Sequence, residues 1–186
     1  MTHPQLRPFQ IDLATYHRMV ELGILGEDDS VELIEGQIVT MSPKGSRHAA
    51  CLAKINDWLT PKLSGQAQLR LQDPIQIPDL SEPEPDLALV LPRADYYLDG
   101  HPLPKDVILL AEIAESSLKI DREVKVSLYA RAGISAYWII NLVDGIIEVH
   151  QQPMGDRYKE VTMIQPEEIM VVPVLGLEFK ASDWLL

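Results

Sequence analysis

Two acidic side chains stand in surroundings that disfavour acids. Asp86 follows Pro85 at the head of the apolar run EPDLALVLP, and Glu112 lies inside DVILLAEIAESS. If the two runs pair antiparallel with Asp86 opposite Glu112, partner numbers add to 198 and the centre of the turn falls at Asp99. Asp99-Gly100 is a turn dipeptide, and Pro92, Pro102 and Pro104 keep the stretch between the strands irregular. Carboxylates placed side by side repel unless a cation or a proton lies between them. Such a pair suits a hard divalent cation. Just downstream, Asp121, Lys125 and Tyr129 recur every four residues and share one face of a predicted helix. The plain alternative there is an exposed Asp121–Lys125 ion pair, worth only ~0.3–0.5 kcal/mol.

These residues need a scaffold. A chain of 186 residues, 46% of them hydrophobic, is long enough to bury a core and is read as one domain spanning 1–186. Thr15 is expected to cap a short helix through Leu22, closed by Gly23. Strands follow at Val31–Ile34 and Gln37–Met41, turning at Glu35-Gly36. Ser46–Leu63 carries Leu52, Ile55, Leu59 and Leu63 on one helical stripe. Gln68–Gln72 and Ile75–Ile77 read as short strands, then the central hairpin. Ser117–Ala132 reads as a helix capped by Ser116-Ser117, with Val124 and Leu128 inward. Ala136–Asn141, Ile146–His150, Tyr158–Ile164, Ile169–Val172 and Leu177–Phe179 form a strand-rich C-terminal part, with Tyr137-Trp138 in the core. The order predicts an α/β (α+β) fold, a mixed central sheet flanked by helices.

Composition narrows the chemistry. A lone Cys51 excludes an intrachain disulfide and a cysteine-built metal site, and reads as small and buried. His3, His17, His101 and His150 make no spaced metal motif. No apolar run approaches the ~18 residues of a membrane helix, and MTHPQLRPFQ has no apolar signal core, so a cytoplasmic protein without membrane contact is expected. The net charge of −12 opposes generic nucleic-acid binding, but it is uneven. Lys44, Arg47, Lys54, Lys62 and Arg70 face only Asp57 between residues 44 and 70, a net +4, and residues 119–131 carry +2. Two basic helical segments thus bracket the acidic hairpin. His48, beside Arg47 near a helix start, is placed to meet phosphate.

The ordered set LIEGQIVTMSP, EPDLALV, LLAEIAESS and DREVKVSLYARAGISAYWIIN resembles the Uma2 family, a branch of the restriction-endonuclease-like PD-(D/E)xK superfamily. The resemblance runs from about Glu32 to Val149 and implies a Mg²⁺-dependent endonuclease acting on DNA, with Mn²⁺ as substitute. It implies metal ligation by Asp86, Glu112 and the carbonyl of Ile113, with Glu35 as an added acidic group. Where the superfamily pattern has its lysine, two residues after the second acid, this chain has Ala114. Lys125 is the substitute, giving a catalytic set of Glu35, Asp86, Glu112 and Lys125, its ammonium expected within about 6 Å of the two carboxylates, near enough to act through one water. Lys44, Arg47, His48, Lys54 and Lys62 would contact nucleic acid, and a homodimer would gather the basic helices around a cleft. Two other readings compete: a non-catalytic binding or regulatory module on the same fold, and a glycoside hydrolase using Asp86 and Glu112. The second is disfavoured by the scarcity of aromatic residues for sugar stacking, with 3 Trp and 2 Phe.

Overall fold

The computed structural model describes residues 8–26 and 28–186; His3 lies outside them. The chain divides into two compact units. The first comprises residues up to Met41 together with Gln76–Pro83. Its helix α1 spans Leu13–Glu21 and is capped by Asp12, whose carboxylate accepts the Thr15 amide at 2.8 Å. Thr15 is therefore inside the helix, not its cap. Strands β1 (Val31–Ile34) and β2 (Gln37–Thr40) form a hairpin whose turn residues Glu35 and Gly36 both have positive φ, 49° and 76°. A side chain at position 36 would meet Gln10 Cβ at 2.8 Å, so the turn needs glycine for space as well as for backbone. Leu13, Tyr16 and Leu33 form this unit's small core. Buried Glu82 pairs with Leu33 across a bridge and holds His17 Nε2 at 2.9 Å.

The second unit holds a six-stranded sheet in the order β3-β4-β5-β6-β7-β8: Gln68–Leu71, Leu87–Val90, Val107–Ala114, Ala136–Asn141, Ile146–Met154 and Arg157–Ile164. All neighbours are antiparallel except β5 and β6, which run parallel. A parallel pair needs a crossover. Leu118–Arg131 supplies it, as α3 (Leu118–Ile120), a π turn (Asp121–Lys125) and α4 (Val126–Arg131). All eight residues of β5 are buried, which explains its nearly unbroken apolar run. One face of the sheet packs on Cys51, Ile55 and Leu59 of α2 (Ser46–Leu59) and on Met170, Val172, Phe179 and Trp184 from the hairpin β9 (Ile169–Val172)–β10 (Leu177–Lys180) and the turn beyond it. Trp184 is fully buried; its ring stacks on Phe179 at 4.6 Å and lies 5.4 Å from that of Trp138. Cys51 is buried as expected, its Sγ 3.1 Å from the Trp184 carbonyl, and burial pushes the thiol pKa up to about 11.

Several local expectations shift. Helix α2 ends at Leu59 and continues as a single tight turn over Thr60–Lys62, because Pro61 cannot extend the α ladder. Ile75–Ile77 contributes only the bridge Ile77–Ser81. Ser117 caps nothing with its side chain; its hydroxyl donates to Asp121 Oδ2 at 2.6 Å. Val124, expected inward, is exposed, while Asp121 and Lys125 are buried in its place. The Val126 amide bonds the Asp121 carbonyl, five residues back, and this wider turn changes which residues face the sheet. Among the described residues no helix is long and apolar enough to cross a membrane.

A candidate carboxylate-lysine site

Paired residues of β4 and β5 add to 198 over Leu87–Ala111, Ala88–Leu110 and Leu89–Leu109, then slip by one at Val90. Extended one step, that register sets Asp86 against Glu112. The side chains and backbone interlock there. Asp86 Oδ2 accepts the Ile113 amide at 2.9 Å, and the Asp86 amide lies 3.2 Å from Glu112 Oε2. His48 Nε2 sits 2.9 Å from Asp86 Oδ2, and Gln72 Nε2 3.3 Å from Oδ1. Glu112 Oε1 takes Lys125 Nζ at 2.9 Å and Tyr129 Oη at 3.1 Å. Each of these groups is placed by a different element: Asp86 at the head of β4, Glu112 near the end of β5, His48 in the first turn of α2, Lys125 on the π turn and Tyr129 on α4. Gln72 follows β3 with φ 56°, a conformation rare for a residue with a side chain and one that concentrates at functional sites.

The surroundings push the two acids apart in pKa. Glu112 is held well above the ordinary glutamate value, by burial first; the Lys125 ammonium pulls it down and Asp86 adds repulsion. For Asp86 burial also acts upward. His48, the Ile113 amide and Gln72 outweigh it, and the carboxyl stays below its ordinary value. The surroundings thus support the charged form of Asp86 and penalise that of Glu112, the pattern expected when two like groups have different tasks.

The donor set suits a hard cation. A carboxylate offers about four lone-pair positions. Among the described residues, Asp86 Oδ1 takes only Gln72 and Glu112 Oε2 only the Asp86 amide, so each acid keeps an uncommitted position. No three His, Cys, Asp or Glu side chains among the described residues gather into a ready cage. A cation here would rest on two carboxylates, a backbone carbonyl and water, as a Mg²⁺ that keeps several waters does.

The basic residues separate into two groups. Lys44 is exposed ahead of α2, and Arg47 bonds Glu115 at 2.8 Å and the Leu142 carbonyl at 3.1 Å. His48 is buried, with Nδ1 unpartnered among the described residues. Lys54 and Lys62 are occupied elsewhere. Lys54 Nζ binds the carbonyls of Ser182 and Leu185 at 2.9 and 2.6 Å; Lys62 Nζ lies 4.3 Å over the Trp58 ring and donates to the Trp58 carbonyl. Lys54→Gln should therefore lower stability by about 1–2 kcal/mol, and Lys44→Gln should leave it unchanged. Urea unfolding of the two variants checks this; equal midpoints would show the Lys54 clasp to be inert. Glu35 belongs to the first unit, exposed at the hairpin turn, with its amide bonded to Ser81 Oγ at 2.8 Å.

Sequence reasoning did not assign Gln72 or Tyr129 to the site and gave His48 a phosphate, not a carboxylate, as partner. The spacing of Lys125 and Tyr129 was the available signal for Tyr129.

The family model Uma2, described as "Putative restriction endonuclease", matches residues 13–182. Among solved structures, the chain is similar to a crystal structure described as a putative nuclease belonging to DUF820 from Anabaena variabilis. The two share 21% identity with a TM-score of 0.63, over 88% of this chain and 94% of that one. That likeness establishes the fold, a mixed sheet flanked by helices. A search of curated proteins finds no match.

Proposed function

The chain belongs to the Uma2 family, whose description is "Putative restriction endonuclease", and from that premise we propose that it hydrolyses phosphodiester bonds in DNA at the Asp86–Glu112 site with a bound Mg²⁺, for which Mn²⁺ can substitute. The observation that carries this reading is the contact of Lys125 with Glu112 at 2.9 Å beside Asp86, two acids and an ammonium converging from three elements. Asp86, Glu112 and the Ile113 carbonyl would hold the cation. When bound, it polarises a phosphoryl oxygen and lowers the pKa of a water.

The chain's own residues do the rest. Asp86 enters charged, its negative charge already stabilised by His48 and the Ile113 amide. Burial raises the Glu112 carboxyl above the ordinary glutamate value, so a cation held by its ionised form would bind more tightly as pH rises. Lys125, whose ammonium lies 2.9 Å from Glu112, would stabilise the attacking water and the charge developing on phosphorus. Tyr129 holds Glu112 in place through its hydroxyl. Lys44 and Arg47 would meet the phosphates. A cytoplasmic homodimer fits the −12 charge, since it would concentrate the basic segments around one cleft.

A non-catalytic module is the second reading. It is favoured by the completeness of the Lys125–Glu112 pair, which neutralises a buried acid without any metal. Nicking of a supercoiled plasmid decides between them. Cleavage is expected with Mg²⁺ or Mn²⁺, lost with chelator and lost in Asp86→Ala. A well-folded, metal-loaded protein that leaves plasmid intact would establish the module; nicking that persists in Asp86→Ala would reject the site.

A further inference from the structure

A second carboxylate is buried on the same face of the sheet as Glu112. In the ladder Glu112 pairs with Ile139 on β6, and Ile139 pairs with Glu148 on β7. The two acids therefore stand in one row, two strands apart, about 10 Å. Glu148 is 1% exposed. Arg122 reaches it through a fork, Nε at 3.0 and 3.2 Å from the two carboxylate oxygens and Nη2 at 2.6 Å from Oε1. Asn141 Nδ2 adds a bond at 2.8 Å to the same Oε1 and another to Asp144.

The π turn Asp121–Lys125 thus carries two cations, three residues apart, and each enters a buried carboxylate of one row: Arg122 to Glu148, Lys125 to Glu112. The two contacts are not equivalent. A guanidinium fork bound by two donors fixes orientation as well as distance, while a lysine is a point charge on a four-carbon stem. The fork can set where the turn lies, and the lysine can only follow.

We propose that Arg122 and Glu148 are positioning residues, an anchor that seats the π turn on the sheet and so delivers Lys125 to Glu112. The consequence for cleavage rests on the nuclease reading above; the placement of Lys125 does not, and it is measured separately. Acetylation of lysines by a small reagent, quantified by peptide mass spectrometry, reports access to Lys125. In wild type, buried Lys125 should react far more slowly than exposed Lys159. Arg122→Gln and Glu148→Gln should raise labelling of Lys125 several-fold with Lys159 unchanged, and Arg122→Lys, which keeps the charge but not the fork, should fall between. Ile147→Val, which trims the opposite face of the sheet, controls for general loosening and should leave Lys125 protected.

In plasmid cleavage the anchor variants should lose ~10²-fold in kcat, the scale of a misplacement of about 1 Å, while the metal-induced rise in melting temperature persists. If Arg122→Gln does not fold, Arg122→Lys carries the comparison. Lys125 as protected as in wild type in a folded anchor variant would overturn the proposal. Should wild type cut nothing, the nuclease reading fails, and the labelling still decides the anchor.

Discussion

Lys125→Met should lower plasmid cleavage by ~10²-fold or more, the usual loss when a positioned charge-stabilising group is removed, and should leave metal binding in place. The expectation comes from the ammonium lying 2.9 Å from Glu112 on a buried turn. The same substitution has a thermodynamic signature. Removing one member of a buried pair costs ~3–5 kcal/mol when the remaining charge is retained, but Glu112 has the option of protonation. Its folded pKa already lies well above the ordinary glutamate value, and Lys125 is the chief influence drawing it down. Without Lys125 it rises further. The folded protein then holds a proton that the unfolded chain releases, so stability falls as pH rises from the ordinary glutamate value through the folded pKa. Lys125→Met should be close to wild type in acid and increasingly destabilised toward neutral pH, as read by melts across pH. A pH-independent deficit would show that Glu112 does not take the proton. Unchanged cleavage in the folded variant would remove Lys125 from the chemistry.

Asp86→Asn should abolish the Mn²⁺-induced rise in melting temperature and reduce cleavage by about 10²–10³-fold. Simple repulsion between neighbouring carboxylates would predict a more stable metal-free variant. The donors around Asp86 reverse that sign. Burial pushes its pKa up, but the hydrogen bond and charge of His48, the Ile113 amide and Gln72 together hold it below the ordinary aspartate value. The ionised group therefore contributes stability above the unfolded pKa, lost as pH falls through the folded one. An asparagine keeps the Ile113 bond but not the charge facing His48, so the metal-free variant should be less stable by about 1–2 kcal/mol at neutral pH. Urea unfolding in chelator measures it. A metal-induced shift of wild-type size in this variant would place the cation elsewhere.

How much of this was legible in the chain varies by interaction. Short apolar runs and turn chemistry placed β6 and β9 to the residue, because both are short strands bounded by turn or loop residues. The number 198 followed from setting two acids opposite each other, and β4–β5 keeps it until the slip at Val90. The crossover helix was misread where it matters most. Apolar periodicity turns Val124 inward, yet the π turn exposes it and buries Asp121 and Lys125, a cost recovered through Glu112, Ser117 and their neighbours. No helical template anticipates a five-residue backbone bond. Lys54 read as part of a basic helix face because sequence cannot show a carbonyl more than a hundred residues away, and it meets Leu185 across 131 positions; Lys62 instead turns back on Trp58, one helical turn before it. Gln72 carried no signal beyond its place before Asp73-Pro74, since neither its positive φ nor its bond to Asp86 follows from residue type.

The distance between α2 and its partners also governs the order in which the protein can be made. Cys51, Ile55 and Leu59 are translated early, and part of the core that covers them, Trp138, Phe179 and Trp184, arrives late, the Cys51–Trp184 contact spanning 133 positions. A ribosome-bound chain that has not reached Trp184 can lay the helix on β4 and β5 but leaves the rest of its apolar stripe open. Contacts of such high order slow folding, and surface left open meanwhile invites association. Yield from a cell should therefore respond more to chaperone supply and growth temperature than the stability of the finished fold would suggest.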